Sequence, residues 1–497
     1  MKKTIFERGN GVIMPIFSLP SNYGIGTFGK KAFDFVDFLS EAGVKYWQIL
    51  PLGPTSYGDS PYQSFSSFAG NPYFVDLDML MEDGLLEKED LENVEFSEND
   101  DYVDYAQLYN KRFRILKKAF TNVDENLKEE IEEFRKKEKF WIDDYAFFMA
   151  IKNDNLDVSW TDFPEELKNR DTKALAEFER EHKEEIDFYI FIQYEFFKQW
   201  DKLKEYTNRH KIQIIGDIPI YVAMDSADSW ANYDILKLDD NKKPKFVGGC
   251  PPDEFSDDGQ LWGNPVYDWE KLKKDDFKFW INRIKVNMRL FDIIRLDHFR
   301  GFEAYYEIPA EDDTAKYGKW VKGCAYELFD TIKEKLPDVK FIVEDLGFIT
   351  KEVEELKDYL GFPGMKVMQF AFSEDMQSEY LPYNYTKNSA CYSSTHDSDT
   401  LKGWFDQIDE DELERVVKYF SLNDKEGYVW GAIRGLMASV SDLSMFEMQD
   451  LLELGNESRI NRPSTLGENW KWRAKEEDFS NELSKKIKEM AKLYGRY

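Results

Sequence analysis

Apolar residues, many of them β-branched, gather into eight short runs along the chain, at 11–17, 45–52, 212–220, 291–299, 340–346, 366–372, 389–397 and 443–450. Runs this continuously apolar suit parallel strands that are covered on both faces. Between most of them apolar residues recur at spacings of three and four, as at 31–42, 277–289, 320–335 and 411–420. That periodicity predicts amphipathic helices, and strand and helix alternating eight times predicts an α/β fold, the (β/α)8 TIM barrel.

Two gaps are too long for simple crossovers. The second and third runs stand about 160 residues apart, against the dozen or so that a crossover needs. We expect a barrel built from 1–75 and 206–497, with a helical insertion over 76–205 that is rich in Glu, Lys, Phe and Tyr. A second excursion, 221–276, follows the third strand; within it 248–265 is dense in Gly, Pro and Asp and reads as a loop.

Charge narrows the range of partners. With 97 acidic against 66 basic residues the formal charge is −31, and so negative a surface repels nucleic acid and anionic lipid. No apolar run approaches the ~20 residues that span a bilayer. The basic start, Met1-Lys2-Lys3, meets Glu7 before an apolar region develops, so a cytoplasmic protein is expected. Cys250, Cys324 and Cys391 are widely spaced and odd in number, which argues against a disulfide framework or a zinc knuckle. Gly24-Ile25-Gly26 with Gly29 matches a dinucleotide loop only in part and lacks its strand-to-helix context. Aromatic residues make up 16% of the chain, a reserve that suits stacking against the flat faces of sugars.

In a barrel of this kind the C-terminal ends of the strands carry the chemistry. The third run ends Gly216-Asp217-Ile218-Pro219, the fourth Arg295-Leu296-Asp297-His298, the fifth Val343-Glu344-Asp345, and the seventh Ser394-Thr395-His396-Asp397-Ser398-Asp399. Arg295 and Asp297 share a strand face, and a guanidinium beside a carboxylate keeps it ionised, as a nucleophile requires. Asp217, Asp345 and Asp399 serve equally well as helix caps, and alternation alone does not choose between Glu344 and Asp345. Adjacent residues on a strand face opposite ways, so His298 with Asp297, or His396 with Asp397, meet at one metal ion only if the strand breaks. No metal or cofactor is expected. With no Gly-x-Ser-x-Gly elbow, carboxylates flanked by Arg, His and aromatic residues fit glycosidic bond chemistry best.

Longer motifs sharpen this reading. Asp59-Ser60-Pro61-Tyr62, Phe68-Ala69-Gly70-Asn71-Pro72, Gly216-Asp217-Ile218-Pro219, Pro251-Pro252-Asp253 and Gly259-Gln260-Leu261-Trp262-Gly263-Asn264-Pro265 resemble the 4-α-glucanotransferase (amylomaltase, or disproportionating enzyme) family. So do Arg295-Leu296-Asp297-His298-Phe299-Arg300-Gly301, Glu344-Asp345-Leu346-Gly347, Ser394-Thr395-His396-Asp397 and Arg459-Ile460-Asn461. The resemblance runs in order over nearly the whole chain, which looks like the branch of the α-amylase-like group without a separate C-terminal β-domain. It implies Asp297 as nucleophile, Glu344 as general acid/base, and Asp397 as the residue that stabilises the distorted sugar. It further implies a donor subsite lined by Arg295, His298 and His396, aromatic platforms at Tyr62 and Trp262, and polar contacts from Ser60, Asp217 and Asn461.

The implied reaction is a retaining double displacement on α-1,4-glucans, with malto-oligosaccharides, glucose, and starch- or glycogen-derived glucans as partners. Retaining carboxylates stand about 5–5.5 Å apart. Transfer also requires that a sugar reach the intermediate before water does, and 248–265 is the expected lid. Two positions depart from the family pattern: Glu254, where an aromatic or small residue is expected, and Ser464 in Pro463-Ser464-Thr465, where the family has Pro-Gly-Thr. The competing readings are a hydrolase on the same site and a non-catalytic glucan-binding protein, the latter requiring a missing carboxylate.

Overall fold

The computed structural model describes residues 6–497 apart from 57, 93, 253–256 and 373–376. Eight parallel strands close a barrel: β1 Gly9–Ile13, β2 Tyr46–Gln48, β3 Gln213–Ile218, β4 Ile293–Leu296, β5 Phe341–Val343, β6 Gly364–Val367, β7 Ser389–Tyr392 and β8 Leu443–Glu447. They pair in chain order around the ring, and β8 returns to β1 through Gly9↔Leu443 to Ile13↔Glu447. Alternation sorts their side chains. Ile13, Tyr46, Ile215, Ile293, Ile342, Met365, Tyr392 and Met445 fill the interior, while Val12, Trp47, Ile214, Ile294, Phe341 and Phe446 pack outward against the helices.

All eight expected strands are present, and most end sooner than the apolar runs do. β4 stops at Leu296, because His298 adopts a left-handed φ of 48° and turns the chain. β1 gives way to a 3-10 turn at Ile16–Ser18, and β6 to another at Met368–Phe370. The helices Lys30–Glu41, Lys278–Leu290 and Glu410–Phe420 lie where periodicity placed them. The stretch 320–335 divides instead: Lys319–Lys322 is a strand, and the helix starts at Ala325.

Between β2 and β3 the chain forms mostly helices, among them Tyr105–Thr121, Ile142–Asp154 and the 27-residue Lys183–Arg209. The last of these runs through the expected boundary at 205 and leads into β3. Its Trp200 indole donates to the carbonyl of Leu290 (3.1 Å), and Phe196 and Trp200 pack on Phe28, so one helix belongs to both insertion and barrel.

The excursion after β3 holds the main surprise. Phe246–Cys250 and Gln260–Pro265 are antiparallel strands, not loop, and join Ala304–Pro309 and Lys319–Lys322 in a four-stranded sheet beside the barrel. The glycines that made this stretch look like a loop are there for close approach: a Cβ on Gly249 would lie 2.1 Å from the carbonyl of Gln260, and one on Gly248 would lie 2.5 Å from the Tyr221 ring. Glu254 lies outside the described residues. The fold ends in the helix Asn481–Leu493, and no described helix is long and apolar enough to cross a membrane.

Candidate active site

Charge collects where the interior rows of the strands reach the mouth. Ile215 is followed two residues on by Asp217, and Ile293 by Arg295; the β3–β4 register sets Asp217 directly opposite Arg295. The buried guanidinium donates to Asp217 Oδ2 (2.6 Å) and to Asp297 Oδ1 (3.0 Å). One cation therefore serves two carboxylates. Burial pushes the Asp217 carboxyl up to about 6 despite that contact.

Glu344 follows β5 and has no side-chain cation in hydrogen-bonding contact among the described residues. Its Oε2 accepts the backbone N–H of His298 at 2.6 Å and its Oε1 that of Leu346 at 3.2 Å. Burial and then the charge of Asp297 raise its carboxyl to about 7, against the pull of Arg295 and the two N–H donors. The left-handed turn at His298 aims that N–H inward, a strained conformation of the kind that clusters at functional sites. Asp345, next in sequence, goes the other way: it binds Lys357 and the N–H of Met365 (2.7 Å) in the layer outside the barrel. Geometry thus separates the two acids that alternation left equivalent.

β7 ends at Tyr392, four residues before His396, so the chain has left the strand and His396 and Asp397 meet after all: Nε2 lies 3.1 Å from Oδ2. Asn461 donates to the other oxygen of Asp397 at 2.6 Å. The Asp397 side chain keeps 45% of its surface open. Enclosure by the surrounding protein would raise its carboxyl, but His396, Asn461 and Arg295 outweigh that and hold it down to about 2. The same contact lifts His396 above its ordinary range, although burial opposes it.

Tyr62 ties these halves together. Its hydroxyl donates to Asp217 Oδ2 (2.8 Å), stands 2.8 Å from His396 Nε2, and its ring stacks on the imidazole at 5.3 Å. The Ser60 hydroxyl accepts the Tyr62 N–H and shapes the turn that presents the ring. Trp262 stands edge-on to the His298 ring at 4.8 Å, partly exposed, on the strand that Gln63 anchors through Asn264 (2.9 Å). Burial brings His298 down to about 4, so this imidazole is neutral near neutral pH, and its Nε2 has no partner among the described residues.

Some participants escaped the sequence reading. Arg459, present in the Arg459-Ile460-Asn461 motif but given no role there, holds the loop after β7, donating to Asp399 and to the carbonyl of Asp397 (2.7 Å). Trp470 backs Tyr62 at 5.8 Å. Glu447 and Asp450 bind Ser394; the rule that acids gather at strand ends would have found them at β8.

A closed parallel barrel with a carboxylate cluster at its C-terminal mouth defines a (β/α)8-barrel enzyme. Similarity to known proteins makes the assignment specific. A sequence profile of the 4-alpha-glucanotransferase family matches residues 14–478. The 4-alpha-glucanotransferase of Clostridium butyricum is 52% identical over 97% of this chain and all of its own length, and that of Streptococcus pneumoniae TIGR4 is 47% identical over 99% and 98%. The amylomaltase of Streptococcus agalactiae, solved in complex with acarbose, superimposes with a TM-score of 0.97 at 43% identity, covering 99% of this chain and 100% of that one. The chain belongs to the 4-alpha-glucanotransferase family, and it is a glucan-processing transferase.

Proposed function

We propose that this enzyme transfers α-1,4-glucan segments between cytoplasmic malto-oligosaccharides, or to glucose, by a retaining double displacement through a glycosyl-Asp297 intermediate. The observation that carries the proposal is the contrast between two neighbouring carboxylates. Asp297 accepts a hydrogen bond from the Arg295 guanidinium at 3.0 Å, while Glu344, with no cation in hydrogen-bonding contact among the described residues, is lifted to about 7 by burial and by Asp297. A carboxylate paired with a guanidinium suits a nucleophile, and a carboxyl raised to about 7 suits a proton donor.

In the first step Asp297 attacks the anomeric carbon as Glu344 protonates the leaving 4-oxygen. The departing glucan vacates the acceptor side, and Glu344, now ionised, takes the proton from the 4-hydroxyl of an incoming sugar as the bond to Asp297 breaks. Asp397, held ionised by His396 and Asn461, binds the distorted donor sugar. Tyr62 and Trp262 offer apolar faces to it, and Arg295, His298, His396, Asp217, Asn461 and Ser60 orient the charges and hydroxyls around it. The sheet strand that carries Trp262 walls the site and favours a sugar acceptor over water. That the S. agalactiae amylomaltase was solved in complex with acarbose supports a carbohydrate substrate for this chain.

Purified enzyme incubated with maltotriose alone tests this. The expected result is glucose plus a ladder of longer maltodextrins at constant total reducing ends, with Asp297→Asn abolishing the ladder. Rising reducing ends with only shorter products would replace transfer by hydrolysis, and an active Asp297→Asn enzyme would remove the covalent intermediate.

A further inference from the structure

The interior row of β8, Leu443 and Met445, ends in Glu447, whose carboxyl is buried and stands opposite Ile13 of β1. Three residues on, Asp450 is fully buried as well. The two acids meet at one hydroxyl. Ser394 Oγ lies 2.9 Å from Glu447 Oε2 and also in hydrogen-bonding contact with Asp450 Oδ2. A serine hydroxyl carries a single proton and can donate to only one carboxylate, so the other carboxyl must bring a proton of its own.

The remaining contacts decide which one does. Asp450 Oδ2 also accepts from Ser393 Oγ (2.6 Å), and its Oδ1 accepts the N–H of Leu401 (2.6 Å). That is the donor shell of an anion. Glu447 has Ser394 as its side-chain partner, and no cation pairs with either acid among the described residues. The order that satisfies every atom runs from the Glu447 hydroxyl to Ser394 Oγ and from Ser394 to the Asp450 carboxylate.

We propose that Glu447 is held protonated and, through Ser394, is a positioning residue for the transfer reaction, fixing the end of β7 from which His396 and Asp397 project. The proposal rests on the reading of His396 and Asp397 as sugar-binding groups. Ser393 and Ser394 are the residues just before Thr395-His396-Asp397, and Leu401, which Asp450 holds, starts the helix just after it. The proton-linked chain therefore clamps the Asp397 loop from both sides. The groups whose charge reaches Glu447 agree with this: burial and then Asp450 raise its carboxyl to about 8, against Ser394, His396 and Arg459. Asp450 is itself pushed up only to about 6, mainly by burial.

Infrared spectroscopy of the whole enzyme at pH 7 reads the proton directly. A protonated-acid carbonyl stretch is expected that survives in Glu344→Gln and disappears in Glu447→Gln; a spectrum unchanged by Glu447→Gln overturns the proposal. Kinetics with maltotriose read the positioning. Glu447→Ala and Ser394→Ala should each lower kcat/KM by ~10-fold to ~10²-fold, the scale of a slight misplacement of reacting groups. Glu447→Gln, whose amide can donate to Ser394 as the acid does, should restore most of that loss. Equal losses in Gln and Ala variants, or none in either, overturn the role, and Ser394→Ala carries the test if Glu447→Ala fails to fold. Asp397→Asn separates the two readings: if it transfers glucan normally, the reading of Asp397 fails, whatever Glu447 does.

Discussion

The inside of the barrel mouth and the layer between barrel and helices both bury charge, and they do so on opposite plans. In the outer layer Asp345 has its own cation in Lys357, and elsewhere the half-buried acids Asp225 and Glu426 have Lys152 at 2.6 Å and Arg434 at 2.8 Å. Inside, Arg295 serves both Asp217 and Asp297, and Glu344 makes do with two backbone N–H groups. Glu344 and Asp345 are chain neighbours, both raised by burial, yet they sit on opposite sides of this divide. What distinguishes these two neighbours is thus the surplus of acids over cations around Glu344. Burial alone does not do it.

That contrast breaks if the two neighbours respond alike to amide substitution. Glu344→Gln should lower kcat by at least the ~10²–10⁴-fold associated with proton transfer, with a melting temperature equal to or above wild type, since a poorly solvated acid is replaced by a neutral group. Asp345→Asn should do the reverse. It strands the Lys357 ammonium, which should cost ~3–5 kcal/mol of stability in urea unfolding while the folded fraction keeps near-normal kcat. Catalytic loss in Asp345→Asn without loss of stability would put the reactive acid on the wrong side of the strand.

The pH dependence sharpens the same point. Glu344 is raised from 4.5 to about 7, so the stability it contributes is present below 4.5 and is lost as pH rises through about 7. The difference in unfolding free energy between wild type and Glu344→Gln should therefore drift against wild type across that window and level off above it. Over the same range kcat for transfer should fall on the alkaline side of about 7 as the proton donor ionises. A flat difference and an alkaline limb far from 7 would mean that Glu344 is not the surplus acid.

Much of this was legible in the chain. The eight apolar runs marked the eight strands because strands covered on both faces must be apolar throughout. Asp297 could be singled out because a two-residue period fixes which side chains share a face. That period also set the limit of the reading: it holds only while the strand lasts, and both His298 and His396 lie beyond the last ladder bond. There the backbone turns, so His298 offers its N–H to Glu344 and His396 reaches Asp397. The side sheet was hidden for a different reason, since its glycines are read locally as flexible when their neighbours demand close approach. Glu447 and Asp450 obey the same strand-end rule at β8, but their partners are serines that follow β7, a contact that no local pattern encodes.

The smallest effect concerns a residue outside both charged regions, and so calibrates the rest. Ser464, exposed between Arg462 and Asn469, holds a left-handed φ of 64°. An L-residue in that conformation costs roughly 1–2 kcal/mol, whereas glycine adopts it freely. Against this, glycine leaves the unfolded chain more entropy to lose, by about 0.4–1 kcal/mol. The two terms oppose each other, and conformational strain is the larger. Ser464→Gly should raise unfolding free energy by ~0.5–1 kcal/mol with unchanged kcat on maltotriose. The Asn469 amide bonds the carbonyls of Arg462 and Thr465, and its Oδ1 accepts the Arg462 N–H at 2.9 Å, so the loop keeps its shape without the serine side chain. A loss of stability on this substitution would show that the loop draws on the serine itself. A change in kcat would tie the loop to the Asn461 contact with Asp397, bringing it into the interior charge network.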